Sequence, residues 1–200
     1  MDFMTAPART ADHAIADVFT ARWSPRAFTD ATITEEELLG LLEAARWAPS
    51  GFNAQPWRFI YALRGDEGWQ PIADAIMPFN KAWAEKASAL VIVASATRFT
   101  PPGKTEASDN GSHAFDAGAA WGYLALQAHM SGWASHAMGG FDRAAMADAV
   151  KLPEGYVLHA AVAIGKQGDA SSLPEALQAR EMPSPRLPLS ETAVRGGFKA

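Results

Sequence analysis

Two hundred residues, 48% of them hydrophobic, are enough for one domain with its own core, and the composition does not point to fibre, collagen or disorder. A formal net charge of -5, from 22 acidic and 17 basic residues, argues against nucleic acid or an anionic membrane surface as partner. The chain has no cysteine, which excludes disulfides, thiolate metal sites, iron–sulfur clusters and thiol catalysis, and makes the cytoplasm the expected compartment.

Residues 1–10 lack a basic start followed by an apolar core, so no signal peptide is expected. A short helix is predicted over 10–19. The run Arg22-Trp23-Ser24-Pro25-Arg26-Ala27-Phe28 should then be extended, because proline disfavours helix at itself and at the residue before it. Thr34 and Glu37 have capping-box spacing and Ile33 and Leu38 form a hydrophobic staple. They open a helix with Leu38, Leu39, Leu41, Leu42 and Ala45 at helical spacing, ending at Ala48-Pro49. Strands are predicted at 57–63, 90–94 and 157–164, and helices at 66–77, 80–86 and 143–150. Their order suggests an α+β fold.

Residues 117–141 contain no Asp, Glu, Lys or Arg, yet Gly118, Gly122, Gly132, Gly139 and Gly140 with several polar residues make a membrane span unfavourable. A buried helix followed by a turn fits better. The helix, over 113–130, is apolar or small almost all round and should be buried on every face. Its Gly118-xxx-Gly122 pair suits either core packing or a subunit contact. After Gly168, prolines and serines spread over a 171–200 arm that is not expected to pack as a compact element; it either lies extended on something or is disordered. There is no internal repeat, and 1–200 is expected to be a single domain.

Gly103-Lys104-Thr105 follows a strand, but Arg98 stands where a phosphate-binding loop needs its first glycine, and Pro101 and Pro102 supply no N–H donors. His13, His113, His129, His136 and His159 lack metal-ligand spacing, there is no serine-hydrolase elbow, and no dinucleotide Gly-x-Gly-x-x-Gly is present. His129 and His136 sit among apolar neighbours, the setting of packed neutral histidines. No metal is expected.

Two motifs do point to chemistry. In an extended segment Arg22, Ser24 and Arg26 share a face, two guanidiniums around one hydroxyl, which is a grip for phosphate or carboxylate. The loop Pro49-Ser50-Gly51-Phe52-Asn53-Ala54-Gln55-Pro56 places Ser, Asn and Gln between prolines, fixed donors and acceptors for a planar heterocycle with an amide-like edge.

Together these segments resemble the N-terminal signature of the nitroreductase family, Arg-x-Ser-x-Arg-x-Phe, a helix, then Pro-Ser-x-x-Asn-x-Gln-Pro-Trp. Phe79-Asn80, the turn Ala137-Met138-Gly139-Gly140-Phe141 and Ser184-Pro185-Arg186-Leu187-Pro188 continue the resemblance in order. It implies an α+β fold, a mixed sheet flanked by helices, in an interlocked homodimer with FMN in shared clefts. On that resemblance Arg22, Ser24, Arg26 and Arg186 hold the FMN phosphate and ribityl chain, and Asn80 bonds the pyrimidine part of the ring. Gly139 and Gly140 approach N5. Pro49, Ser50 and Asn53 reach the flavin from the other subunit, with Gln55 counted in the same loop. Ser184 and Trp83 stand where several relatives carry lysine. No catalytic side chain is expected, because flavin N5 carries the chemistry. NAD(P)H and a nitroaromatic, quinone or similar small acceptor are the implied substrates, used in a ping-pong mechanism. The alternatives are a specialised member that degrades flavin or oxidises its substrate, and a non-catalytic FMN-binding protein. Trp83, Phe79, Trp133 and Phe52 would fill a substrate pocket or the core, and Trp133 suits the core.

Overall fold

The capping box predicted at Thr34 forms: the Thr34 hydroxyl accepts from the Glu37 N–H at 3.2 Å and the Glu37 carboxylate accepts from the Thr34 N–H at 2.9 Å. This computed structural model describes residues 9–198. Residues 1–8, which carry most of the signal-peptide expectation, and 199–200, the end of the expected arm, lie outside it. In chain order the elements are α1 (Val18–Ala21), α2 (Glu35–Arg46), β1 (Trp57–Leu63), α3 (Trp69–Ala75), α4 (Pro78–Ala84), β2 (Ala89–Ala96), β3 (Arg98–Phe99) and β4 (Ser108–Asp109). There follow α5 (His113–Met130), β5 (Ala134–Met138), α6 (Arg143–Ala149), β6 (Tyr156–Gly165), α7 (Glu175–Gln178) and α8 (Leu189–Thr192).

The main sheet runs β1-β2-β6-β5 with every ladder antiparallel, which corrects the expectation of a mixed sheet. The reason is topological. Leu63 ends β1 opposite Ala89, which starts β2, so the α3–α4 excursion returns the chain at the end it left. Strand parity then splits the core. Leu90, Ile92, Ala94, Ala161 and Ala163 face α3, α4 and α6, whereas Val91, Val93, Val162 and Ile164 face α2 and α5 through Leu38, Leu41, Leu124 and Ala128. The result is a sheet with helices on both faces.

Four further expectations need correction. The helix predicted over 10–19 is only Val18–Ala21, and the segment before it is tied to distant parts of the chain instead: the Asp12 carboxylate accepts from the Leu189 N–H and the Arg9 guanidinium donates to the Arg22 carbonyl. Ala137 and Met138, read as part of a turn, end an edge strand over 134–138 that is held by pairing with β6. Its Ala, Ser, His and Met are poor strand formers, and ladder partners decide its state. The 113–130 helix keeps its predicted bounds but is not buried on every face of one chain, since Phe115, Tyr123 and Met130 are 81%, 43% and 63% exposed. Finally, the arm's first third does pack, with Leu173 and Leu177 buried in the core beside α3 and α6.

Candidate functional site

The strand pairing at the end of β6 places the Arg22–Phe28 segment. The Gly168 N–H donates to the Ala27 carbonyl, the Thr29 N–H donates to the Lys166 carbonyl, and Phe28 bridges to Gln167. On β5, His136 Nδ1 donates to the Pro25 carbonyl at 3.0 Å. These contacts seat the arginines beside the open edge of the sheet. Arg22 Nη1 donates to Ser24 Oγ at 3.3 Å, so the predicted grouping of guanidinium and hydroxyl exists.

Arg22, Ser24, Arg26 and Arg186 line one cavity of about 450 Å³, joined by Arg9, Arg180 and His136, which sequence reasoning missed. Burial, and then the charges of Arg9 and Arg186, push the Arg22 guanidinium below its ordinary pKa. Like charges crowded in a half-buried cleft are an arrangement that an oxyanion relieves.

Arg26 is not free to the same degree. Glu181, with a side chain 3% exposed, accepts from the Arg26 N–H at 2.6 Å and the Ala27 N–H at 2.8 Å, and lies 3.6 Å from the Arg26 guanidinium. Arg26 Nη1 also donates to the Arg180 carbonyl. Glu181 therefore fastens the tail to the arginine segment, a role that no local pattern could reveal across 155 residues. Arg186 is exposed and donates to the Ser184 and Pro185 carbonyls. Ser184 lines the same cavity, whereas Trp83 is buried in the core with its ring centroid 4.6 Å from that of His136.

Along β5 the chain passes from His136 to Gly139 and Gly140. The Met77 N–H donates to the Gly140 carbonyl at 3.1 Å, and Asn80 Nδ2 lies 3.4 Å from the same oxygen, so Asn80 and the glycine turn lie side by side. A Cβ on Gly140 would sit 2.6 Å from Asn80 Nδ2. Gly139 is different. It is exposed, has no positive φ, and a Cβ there would meet nothing within 4 Å, so nothing among the described residues requires it to be glycine. What the missing side chain provides is access to the backbone from outside.

The loop with Pro49, Ser50, Asn53 and Gln55 does not join this group. It leads into β1, at the opposite edge of the sheet from β5, three ladder spacings or roughly 14 Å away. The loop is built rigidly: the Gln55 N–H donates to Ser50 Oγ at 3.0 Å, and the Gly51 N–H donates to the buried Asp116 carboxylate at 3.2 Å. Phe52, Asn53 and Gln55 hold φ of 53°, 53° and 46°, left-handed conformations that cost a non-glycine residue about 1–2 kcal/mol each. Phe52 is 77% exposed and stacks on Phe99, Phe79 is also exposed, and Trp133 is in the core.

A second polar cluster lies apart from the cavity. Ser95 Oγ is 2.7 Å from His113 Nδ1 and 2.6 Å from His159 Nε2, and burial, then His113 and Arg143, lowers the His159 pKa. One hydroxyl proton can serve only one of these nitrogens, so the other histidine donates to Ser95. Among the described residues there is no group of three His, Cys, Asp or Glu able to hold a metal, and no helix is long and apolar enough to cross a membrane.

A family model described as the nitroreductase family matches residues 19–166. A solved oxidoreductase containing FMN superposes with a TM-score of 0.91 at 41% identity, over 96% of each chain. A Desulfovibrio desulfuricans protein solved in complex with FMN gives 0.71 at 26% identity, over 93% of this chain and all (100%) of the other. An oxygen-insensitive NADPH nitroreductase of Helicobacter acinonychis is 44% identical over 64 residues, which are 32% of this chain; the match spans only 30% of that enzyme's length.

Proposed function

The chain belongs to the nitroreductase family, and from that premise we propose that it is an FMN-dependent oxidoreductase of a homodimer, taking hydride from NAD(P)H and reducing a nitroaromatic, quinone or similar small acceptor. The observation that carries this is the run along β5, an arginine cavity at His136 and an accessible glycine backbone at Gly139–Gly140. Three residues of strand separate them, roughly 10 Å at about 3.3 Å per residue, a span that suits a phosphate and a flat ring joined by a ribityl chain.

The donor set fits the cofactor. Arg22, Ser24 and Arg186 would hold the phosphate, with Arg26 held in place by Glu181 as a second-rank contributor of charge. Asn80 would bond the amide-like edge of the ring, and the Gly139 and Gly140 N–H groups would favour negative charge on it. When bound, FMN supplies the redox chemistry, accepting hydride at N5 and passing electrons on. The protein then needs no acid–base pair of its own, only to bind, orient and exclude.

The homodimer rests on two observations. Pro49, Ser50, Asn53 and Gln55 lie at the far edge of the sheet from the cavity, so in the shared-cleft reading they serve a second copy's flavin. In α5, Gly118 and Gly122 would meet nothing with a Cβ, although glycine within a helix is about 0.8–1 kcal/mol less favourable than alanine. They share an exposed helix face with Phe115, Tyr123 and Met130, which suits close approach by another backbone.

In this reading donor and acceptor use one open ring face in turn. Steady-state kinetics with NAD(P)H and a quinone should therefore give parallel lines in double-reciprocal plots. Intersecting lines would place the substrates in separate sites and overturn it.

A further inference from the structure

Among the described residues that line the cavity, His136 is the one that is neither arginine nor part of a matched motif and yet carries an ionisable imidazole. Its Nδ1 faces the Pro25 carbonyl, a pure acceptor, so Nδ1 carries a proton and Nε2 is the nitrogen that titrates. Trp83, 1% exposed, backs the ring at 4.6 Å between centroids and fixes it in the cavity wall.

We propose that His136 is a phosphate-sensing residue, neutral in the anion-free cavity and protonated when a phosphomonoester dianion enters. This rests on the reading of the cavity as the FMN phosphate site. The groups facing the ring make the field one-sided. Arg22 and Arg26 of the 22–28 segment act on the ring directly, and Arg180 and Arg186 of the tail and Arg9 of the N-terminal segment line the same cavity. From α1 and α5, Phe19, Trp121, Ala125 and Leu126 contribute no charge. Glu181 is the nearby carboxylate, and it is committed to Arg26 and Ala27.

Burial first, then Arg26 and Arg22, hold the imidazole pKa down to about 4, against the carbonyls of Pro25 and Ser24, which favour the charged ring. A phosphate dianion among the arginines offsets much of that positive field and gives Nε2 a charged acceptor in place of the hydration lost on burial. The sign of the linkage follows: the pKa is higher in the complex, so the added affinity is present at low pH and is lost as pH rises through the raised value. A return to the ordinary value of about 6.5 gives roughly tenfold tighter binding at about pH 5.5 and none at about pH 8. The second ionisation of the phosphate itself, near pH ~6, acts the other way but is common to all variants.

Two measurements test this. Isotope-labelled histidine NMR on the flavin-loaded and flavin-stripped protein follows the His136 ring, identified by its contact with Trp83, as pH is varied. FMN and inorganic phosphate should each raise its pKa to about 6.5 or higher, while riboflavin, which lacks the phosphate, should not. In parallel, the ratio of FMN dissociation constants for His136→Gln over the parent should grow from about one at about pH 8 to roughly ten at about pH 5.5. A ring that stays neutral down to about pH 5 with FMN or phosphate bound overturns the proposal, as does a ratio that does not change with pH. If FMN fails to bind but phosphate still moves the imidazole, the flavin reading fails and the proton uptake stands. If the glutamine variant does not fold, the NMR result on the parent decides.

Discussion

Replacing Glu181 by alanine should loosen the segment that carries the phosphate grip. Its Oε1 accepts from two main-chain N–H groups, of Arg26 at 2.6 Å and Ala27 at 2.8 Å, and its Oε2 lies 3.6 Å from the Arg26 guanidinium. Hydrogen bonds to a charged acceptor contribute about 1.5–3 kcal/mol each, and alanine leaves both donors without a protein partner. Partial hydration offsets some of this, so we expect a loss of about 3–5 kcal/mol, a large share of the ~5–15 kcal/mol typical of a domain. Glu181→Gln keeps an acceptor oxygen for both N–H groups and loses only the charge, for about 1–2 kcal/mol. Urea denaturation of the flavin-free protein measures both changes, and FMN titration should show weaker binding in the same order. If both variants stay within about 0.5 kcal/mol of the parent, as an ordinary surface change would, Glu181 does not anchor the segment and the reasoning fails.

Three further outcomes follow from the same geometry. Arg186→Ala should weaken FMN binding about 10–100-fold, and unchanged affinity in a fluorescence titration would mark a merely solvated tail arginine. Gly139→Val has space and an unstrained backbone in the free chain, so thermal unfolding of the flavin-free protein should shift by no more than ~0.5 kcal/mol. Flavin binding should nonetheless be lost, and if it persists the glycine turn is not the ring's floor. At Gly118 an added Cβ meets nothing within 4 Å among the described residues, and Gly118→Leu improves helix propensity, yet it should break the dimer in light scattering; an intact dimer would show that the α5 face is not the interface.

Legibility from sequence divided along physical lines. Capping box, staple and leucine spacing act within a few residues, and α2 appears where they place it. The apolar run of β2 likewise needs no distant partner to be recognised, because both its faces are buried. The β5 strand was not legible: Ala, Ser, His and Met have little preference for strand, and only the ladder with β6 makes them one. His136 was lost with it, since its place in the cavity wall depends on that strand. Glu181 was hidden for another reason, an ion pair between segments far apart in sequence. The arginine grip and the loop at 49–55 were readable as chemistry, but their separation across the sheet is a property of strand order, which no single motif contains.

The central claim is tested most directly by anaerobic reduction. The purified protein should be yellow with FMN, its visible flavin absorbance should bleach when NADH or NADPH is added without oxygen, and the colour should return when a quinone or nitroarene follows. A protein that takes up no FMN, or one whose bound flavin neither nucleotide reduces, would contradict the account.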